Sequence, residues 1–361
     1  MTDKTRVGLI FGGNSSEYEV SIVSGHNIYN AIDKEKYDVY PIWLTKDNYF
    51  ASLEDSKKVW DDPTYTIKNP HKLANVSNFE QLANLPEMDV YFPIVHGNIG
   101  EDGVIQGFFR MLDKPFVGDD VLAAAVTMDK EFTKILAQRA GVPVADWVAI
   151  KRFEYNDKNN SKLDYKYVSE KLGTDLFVKP SNQGSSVGIT HVKSESDYLP
   201  ALAEAFKYDD KVLVEEAITG TEVETAVLGN DDIIVSGVGQ IINAKGSFYS
   251  YKNKYDDSST TTLQIPADLP AEIVEKVRSN AEKIYRATEC SGMARIDSML
   301  RTSDHEVIFN ELNALPGFTN ISMYPKLFEE AGIKYTDLIS RLIELAVERH
   351  NHKKTLLHKP E

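Results

Sequence analysis

The sequence predicts an α/β protein with α+β character in part, built from more than one domain. Three observations carry that expectation. Residues Arg6 to Phe11 form a short apolar run that passes through Gly12-Gly13 into a helical stretch from Tyr18 to Ile32. Strand, glycine turn and helix open a doubly wound α/β unit. Further β-runs and helical runs alternate along the chain, and its 361 residues exceed what one ordinary core organises.

Composition narrows the class. Hydrophobic residues make up 42% and charged residues 26% of the chain, which describes a globular protein and excludes a disordered one. A formal net charge of −15 argues against nucleic acid as a partner, since such proteins carry a basic footprint. A few local lysines and arginines still suffice for a phosphate ligand. The single cysteine, Cys290, excludes internal disulfides and fits a reducing compartment. Residues 1–5 run straight into the first strand without an apolar signal segment. No stretch approaches the ~20 apolar residues that span a bilayer. A cytoplasmic protein with no membrane association is expected.

In order, Tyr37 to Leu44 reads as a second strand, and residues 51–84 are irregular and polar, with no element assigned. Asp89 to Val95 is a third strand, and Phe116 to Gly118 closes the unit, with a boundary near residue 120. Met128-Asp129-Lys130 opens a helix with apolar positions Phe132, Ile135 and Leu136 at helical spacing, capped by Gly141 and stopped by Pro143. Trp147–Ile150 is a strand, residues 162–172 a helix, and Asp175–Pro180 a strand. Strands follow at Lys211–Ile218, Val223–Leu228 and Ile233–Ile242. Glu272–Thr288 is an amphipathic helix with Ile273, Val277, Ala281, Ile284 and Tyr285 inward. Tyr335–His350 is a last helix, with Leu338, Ile339, Leu342, Leu345 and Ala346 inward. The polar tail 351–361 is expected to fray. No internal repeat is present.

Five stretches carry chemistry. Arg295–Leu300 and Val307–Asn313 read as two β-runs joined by a polar turn. Alternation puts Arg295 with Asp297 on one face, and Glu311 with Asn313 on one face of the partner. If the faces coincide, two carboxylates and an amide oxygen gather there, a set suited to Mg²⁺ with nucleotide phosphates as co-ligands. On spacing alone, a charged solvated hairpin accounts for the pattern equally well. Ser181–Ile189 contains Gly184-Ser185-Ser186-Val187-Gly188 between two strands, with Lys179 just before it. Such a loop can cover phosphates with its N–H groups. It is not a Walker A loop, because no Gly-Lys-Ser/Thr follows. Glu17, at a glycine turn, repels phosphate and suits an amine, or simply complements a helix N-terminus. His96-Gly97 through Glu101-Asp102-Gly103 lies just past a strand's carboxyl end, where α/β sheets bind ligands. A satisfied structural histidine is the plainer reading of His96. Residues 243–262 form a loop long enough to be a lid.

Together, Gly12-Gly13 with Glu17, His96-Gly97, Glu101-Asp102-Gly103, Met128-Asp129-Lys130, Val178-Lys179-Pro180, the loop 184–188, Arg295-Ile296-Asp297 and Glu311-x-Asn313-x-x-Pro316-Gly317 follow one order. The chain thereby resembles the D-alanine–D-alanine ligases of the ATP-grasp superfamily from residue 8 to about residue 345. The resemblance implies a three-domain architecture: an N-terminal parallel α/β domain (1–120), and central (121–218) and C-terminal (219–361) domains that clamp ATP. It implies phosphorylation of a first D-alanine's carboxylate and attack by the amine of a second, for peptidoglycan synthesis. ATP is then a co-substrate, with two Mg²⁺ or Mn²⁺ ions held by Asp297, Glu311 and Asn313. Lys130 and Lys179 match the phosphate-contacting lysines, Ser186 and Lys254 match ATP-binding positions, and Glu215, Glu216, Ile218 and Glu222 match positions that read adenine and ribose. Position 216 is often lysine in relatives, but the contact there is expected from the backbone.

The resemblance assigns the oxyanion to Arg295 and the Gly317 N–H, and the first ammonium to Glu17. His96, Ser322 and Met323 match contacts to the second D-alanine. Ala314 replaces the usual threonine. Residues 248–255 match the family's Ω-loop, in which Tyr255 joins Ser185 and Glu17 in a hydrogen-bonded chain that favours an amine nucleophile. Homodimerisation through the N-terminal domain is a family expectation. The rivals are a D-alanine–D-lactate or D-alanine–D-serine ligase and a non-catalytic nucleotide-binding module. A Rossmann-type dehydrogenase is disfavoured by the missing G-x-G-x-x-G.

Overall fold

The computed structural model describes residues 4–62, 64–67, 77–243 and 261–357. Strand β1 (Thr5–Gly12) leads to helix α1 (Tyr18–Ala31) and strand β2 (Tyr37–Leu44). Helices α2 (Leu53–Asp61) and α3 (Asn78–Ala83) follow, then strand β3 (Val90–Pro93). The strands form a parallel sheet ordered β2-β1-β3. Val7, Leu9, Ile10 and Phe11 are fully buried, as the apolar run requires. At the end of β1, a Cβ on Gly12 would stand 2.3 Å from the Leu44 carbonyl. Only glycine lets β1 stop so close to β2 and turn into α1, which places Glu17 at the helix N-cap.

Helices α4 (Val104–Met111), α5 (Val121–Met128) and α6 (Lys130–Arg139) lead into a second, antiparallel sheet. That sheet contains β4 (Trp147–Lys151), β5 (Leu176–Pro180), β6 (Thr190–Val192) and β7 (Lys211–Glu216), in the order β4-β7-β5-β6. Helices α7 (Arg152–Tyr155), α8 (Tyr165–Leu172) and α9 (Glu195–Ala205) intervene. Its core is its own, with Ile150, Val178, Leu202 and Val214 packed together.

The third sheet contains β8 (Gly220–Gly229), β9 (Ile233–Asn243), β10 (Thr261–Gln264), β11 (Gly292–Arg301) and β12 (Val307–Asn313), in the order β10-β9-β8-β11-β12. Helix α10 (Ala271–Ala287) precedes β11, and α11 (Met323–Glu330) and α12 (Tyr335–Lys354) follow β12. Phe11, Ile22 and Phe92 of the first unit share one core with Ala226, Met293, Tyr324, Leu338 and Leu342. The first sheet is therefore welded to the C-terminal helices, which brings Glu17 toward the third sheet. No helix among the described residues is long and apolar enough to cross a membrane.

Four expectations need correction. Residues 51–84 contain α2 and α3, both announced by caps that hydrophobic periodicity overlooks. Ser52 accepts the Asp55 N–H, and Ser77 forms a capping box with Glu80. Helix α6 does not bury its most apolar face: Phe132 is 54% and Ile135 42% exposed, while Thr133, Lys134 and Ala137 are inside. The cause is polar, since Lys134 is drawn inward beside Glu215. The last helix runs on to Lys354, past the point where the tail was expected to fray, and Ile343 is buried on its inner face where Leu345 is only half-buried. Finally, the two ends of the 243–262 stretch are strand: Thr261 pairs with Asn243 and Thr262 with Ile242. The remainder of that loop lies outside the described residues.

Candidate active site

The site is built on the β11–β12 hairpin. Arg295 pairs in register with Asn313, and Asp297 with Glu311, so alternation sets all four on one face. The Arg295 Nε and Nη2 donate to the two Asp297 carboxylate oxygens, each at 2.7 Å. Asn313 Nδ2 donates to Asp297 Oδ2 at 2.9 Å. The neighbouring strand β8 adds Glu224, which faces Asp297 in register and stands 2.9 Å from Arg295 Nε. Carboxylate oxygens of Glu222, Glu224 and Asp297 converge within 4.8 Å of one another. Burial alone would weaken the Arg295 guanidinium's hold on its proton, but Asp297, Glu224 and Glu311 push its pKa well above the ordinary value. The guanidinium is thus a fixed cation among an excess of carboxylates.

Two further segments close around the hairpin. Lys130, the first residue of α6, donates to the Gln183 carbonyl at 2.6 Å and stands 3.6 Å from Glu311. In the serine loop, Ser185 and Ser186 have φ of 53° and 59°. Adjacent left-handed residues other than glycine persist only where the surroundings hold them. Here the hold is visible: the Ser185 hydroxyl donates to Glu17 Oε1 at 2.5 Å. At Gly184 a Cβ would come within 3.0 Å of Glu17 Oε2, so the glycine lets the loop settle onto that carboxylate.

One cavity is lined by Glu17, His96, Lys130, Ser185, Arg295, Glu311, Asn313, Gly317, Ser322 and Met323. Asp297 lies beneath it, fully buried. His96 is buried, with Nδ1 3.1 Å from the Leu315 carbonyl and Nε2 3.3 Å from the Ser24 hydroxyl. Burial holds its imidazole below the usual range. The Ser322 hydroxyl accepts the Thr319 N–H at 2.9 Å, and Met323 begins α11.

The other expected residues lie along β5, β7 and β8 and in the serine loop, and of them Glu222 reaches the Asp297 cluster. Lys179 Nζ is 2.6 Å from Glu215 Oε2. Glu216 accepts the Asp146 N–H at 3.0 Å. Ile218 is half-buried just beyond β7, and Glu222 is near the start of β8. Ser186 adjoins Ser185 in the loop. Tyr255 and Lys254 lie outside the described residues.

Three residues join these groups: Glu101, which the sequence offered only as part of the Glu101-Asp102-Gly103 motif and without a role, and Glu224 and Lys134, which were not singled out. Glu101 lines the cavity and accepts the Gly97 N–H at 2.6 Å. Burial and the neighbouring Glu17 charge push its carboxyl up to about 8. Glu224 was signalled by its two-residue spacing from Glu222, but only the β8–β11 register sets it opposite Asp297. Lys134 carries no local signal, since a helical lysine reads as solvent-facing.

Comparison with known proteins bears on all of this. Residues 6–119 match the family model described as D-ala D-ala ligase N-terminus, and residues 136–344 match D-ala D-ala ligase C-terminus. The chain is 74% identical over 359 residues to a D-alanine--D-alanine ligase of Lactobacillus helveticus, covering 99% of each. Among solved structures, the D-alanine-D-alanine ligase from Coxiella burnetii superposes with a TM-score of 0.81 at 32% identity, covering 98% of both chains. The VanG D-Ala:D-Ser ligase from Enterococcus faecalis gives 0.79 at 33% identity, covering 95% of this chain and all of that one. The shared fold therefore accommodates more than one second substrate.

Proposed function

The chain belongs to the D-alanine–D-alanine ligase family and is an ATP-dependent ligase of two D-alanines, in whose cavity we propose the following division of labour. Glu17 receives the ammonium of the first D-alanine, an assignment supported by a carboxylate that Ser185 holds in place at 2.5 Å. That amino acid's carboxylate oxygen attacks the terminal phosphorus of ATP, the bond to the departing ADP breaks, and an acyl phosphate forms. The amine of the second D-alanine then adds to the acyl carbon. Arg295 and the Gly317 N–H receive the oxyanion, where preorganised donors in a water-poor site are worth several kcal/mol, roughly 3–4. Collapse expels phosphate and leaves the dipeptide. Ser322, Met323 and His96 border the space for the second substrate; His96 acts as a neutral wall, because burial disfavours its protonated form and both ring nitrogens are already engaged.

The hairpin's donor set fits a hard divalent cation. Asp297, Glu311 and Asn313 present oxygen ligands of the type Mg²⁺ or Mn²⁺ prefers, and Glu222 and Glu224 bring further carboxylate oxygens within 4.8 Å of Asp297. Such ions, when bound, neutralise charge on the phosphoryl oxygens. Lys130 and Lys179 supply ammonium groups for the phosphates, and Glu215, Glu216, Ile218 and Glu222 form the surface for base and ribose.

The observation that carries this reading is the joining of Glu17 and Ser185 to Arg295, Glu311 and Gly317 in one cavity. The test is product identity from Mg-ATP with D-alanine, D-serine and D-lactate in competition. D-alanyl-D-alanine is the expected product. Equal or greater incorporation of D-serine or D-lactate at neutral pH would overturn the substrate assignment.

A further inference from the structure

The inner face of α6 carries a lysine that the division of labour above does not use. Lys134 is 1% exposed, whereas lysines on helices normally reach for water with their ammonium. Among the described residues its Nζ makes no hydrogen bond. The nearest anion is Glu215 Oε1 at 3.5 Å, and that oxygen likewise accepts no hydrogen bond. The other carboxylate oxygen, Oε2, is taken by Lys179 at 2.6 Å. One buried carboxylate is therefore shared by two lysines, with one of its oxygens and one of the ammoniums still short of a polar partner.

The two lysines differ in what they are free to do. Lys179 sits near the end of β5, where the chain enters the serine loop, and its side chain keeps 10% exposure. It can leave Glu215 for a phosphate by side-chain rotation. Lys134 is enclosed between α6 and the second sheet, over the Trp147 ring at 5.9 Å, and has nowhere else to go. Once Lys179 moves, Glu215 without Lys134 would be an isolated buried carboxylate, and such groups take up a proton. A protonated carboxyl both donates and accepts, so it cannot tell an amino group from an oxo group. An ionised one only accepts. Burial by itself would raise the Glu215 pKa, and the two ammoniums reverse this and lower it.

We propose that Lys134 is a positioning residue that keeps the Glu215 carboxylate fixed as a pure acceptor for the amino group of a purine base. Selection of ATP over an oxo-purine triphosphate then resides in the Lys134–Glu215 pair. This rests on reading the β5–β7 surface as the nucleotide site.

The test compares kcat and KM for ATP with those for inosine triphosphate, whose base carries an oxo group in place of the amino group. In the Lys134→Met protein the ATP preference in kcat/KM should fall by about tenfold or more, as loss of a hydrogen bond to a charged group implies. The change should lie in KM for ATP, with kcat held within about twofold, and Lys134→Arg should restore most of the preference. Lys179→Met should raise KM for both nucleotides in parallel and leave the preference intact. A parallel loss for both nucleotides in Lys134→Met would overturn the proposal. So would a collapse of the preference in Lys179→Met, a result that decides the matter even if Lys134→Met fails to fold. Glu215→Gln separates the two layers. If it leaves the preference unchanged, the base-reading role of Glu215 fails. If it abolishes the preference while Lys134→Met does not, only the role of Lys134 fails.

Discussion

Two buried ion clusters in this molecule have opposite imbalances. On the third sheet, one guanidinium, Arg295, is surrounded by Asp297, Glu224 and Glu311. On the second sheet, one carboxylate, Glu215, is held between Lys134 and Lys179. Neither cluster is neutral, and a buried charge without full compensation is costly. On the proposed assignment each imbalance suits its ligand: surplus carboxylate for divalent cations, surplus ammonium for a polyphosphate. A structural ion pair balances itself, as Arg6 and Asp89 do at the surface. A site leaves the balance to its ligands.

The comparison can be broken most sharply at Arg295. Replacing it with Met should lower kcat by roughly 100-fold or more, as loss of an oxyanion donor does elsewhere. The same change strands Asp297 and Glu224, and breaking a buried pair costs about 3–5 kcal/mol. Steady-state ligation and thermal melting report the two effects separately. A kcat within threefold of the parent would remove Arg295 from the chemistry.

A smaller effect is expected from Glu311→Gln, which keeps the shape but removes one charge from the anionic cluster. The Mg²⁺ concentration for half-maximal activity should rise roughly tenfold or more, with the ATP preference over inosine triphosphate unchanged. An unaltered Mg²⁺ requirement would mean that the carboxylate surplus serves something other than the metal.

The smallest effect concerns pH. In the folded chain the Glu101 carboxyl titrates at about 8, against an ordinary value of 4.5. The folded state thus holds this proton more tightly than the unfolded chain does. Its stabilisation is complete below the ordinary carboxylate range and is lost as pH rises through about 8. The melting temperature should therefore fall more steeply between pH 5 and 8 in the parent than in Glu101→Gln, by a few degrees at most. Equal slopes would show that Glu101 gives up its proton as readily folded as unfolded.

Legibility in the sequence followed the range of the interaction. The face shared by Arg295, Asp297, Glu311 and Asn313 was readable because strand alternation is local and the hairpin turn is short. The serine loop was readable from its glycines and from the strands on either side. The caps at Ser52 and Ser77 were also written locally, although periodicity concealed them. Glu224 was different: its spacing from Glu222 set a face, yet nothing local said that β8 would pair with β11. Lys134 stood at the far limit. Its burial reverses the usual rule for helix faces, because Glu215, some eighty residues away (81 by number), supplies the charge that draws it inward.

By itself, then, the sequence determined the alternating faces, the glycine turns, the capped helices and the order of motifs that carries the family resemblance. These depend on backbone geometry and on neighbours within a few residues. The Ser185–Glu17 contact was implied by the resemblance, whereas tertiary structure alone decided that Glu224 joins Arg295 and that Lys134 is shut in beside Glu215. Each of these is a contact between charged or polar groups far apart in the chain, and its strength depends on burial that only the assembled sheets provide.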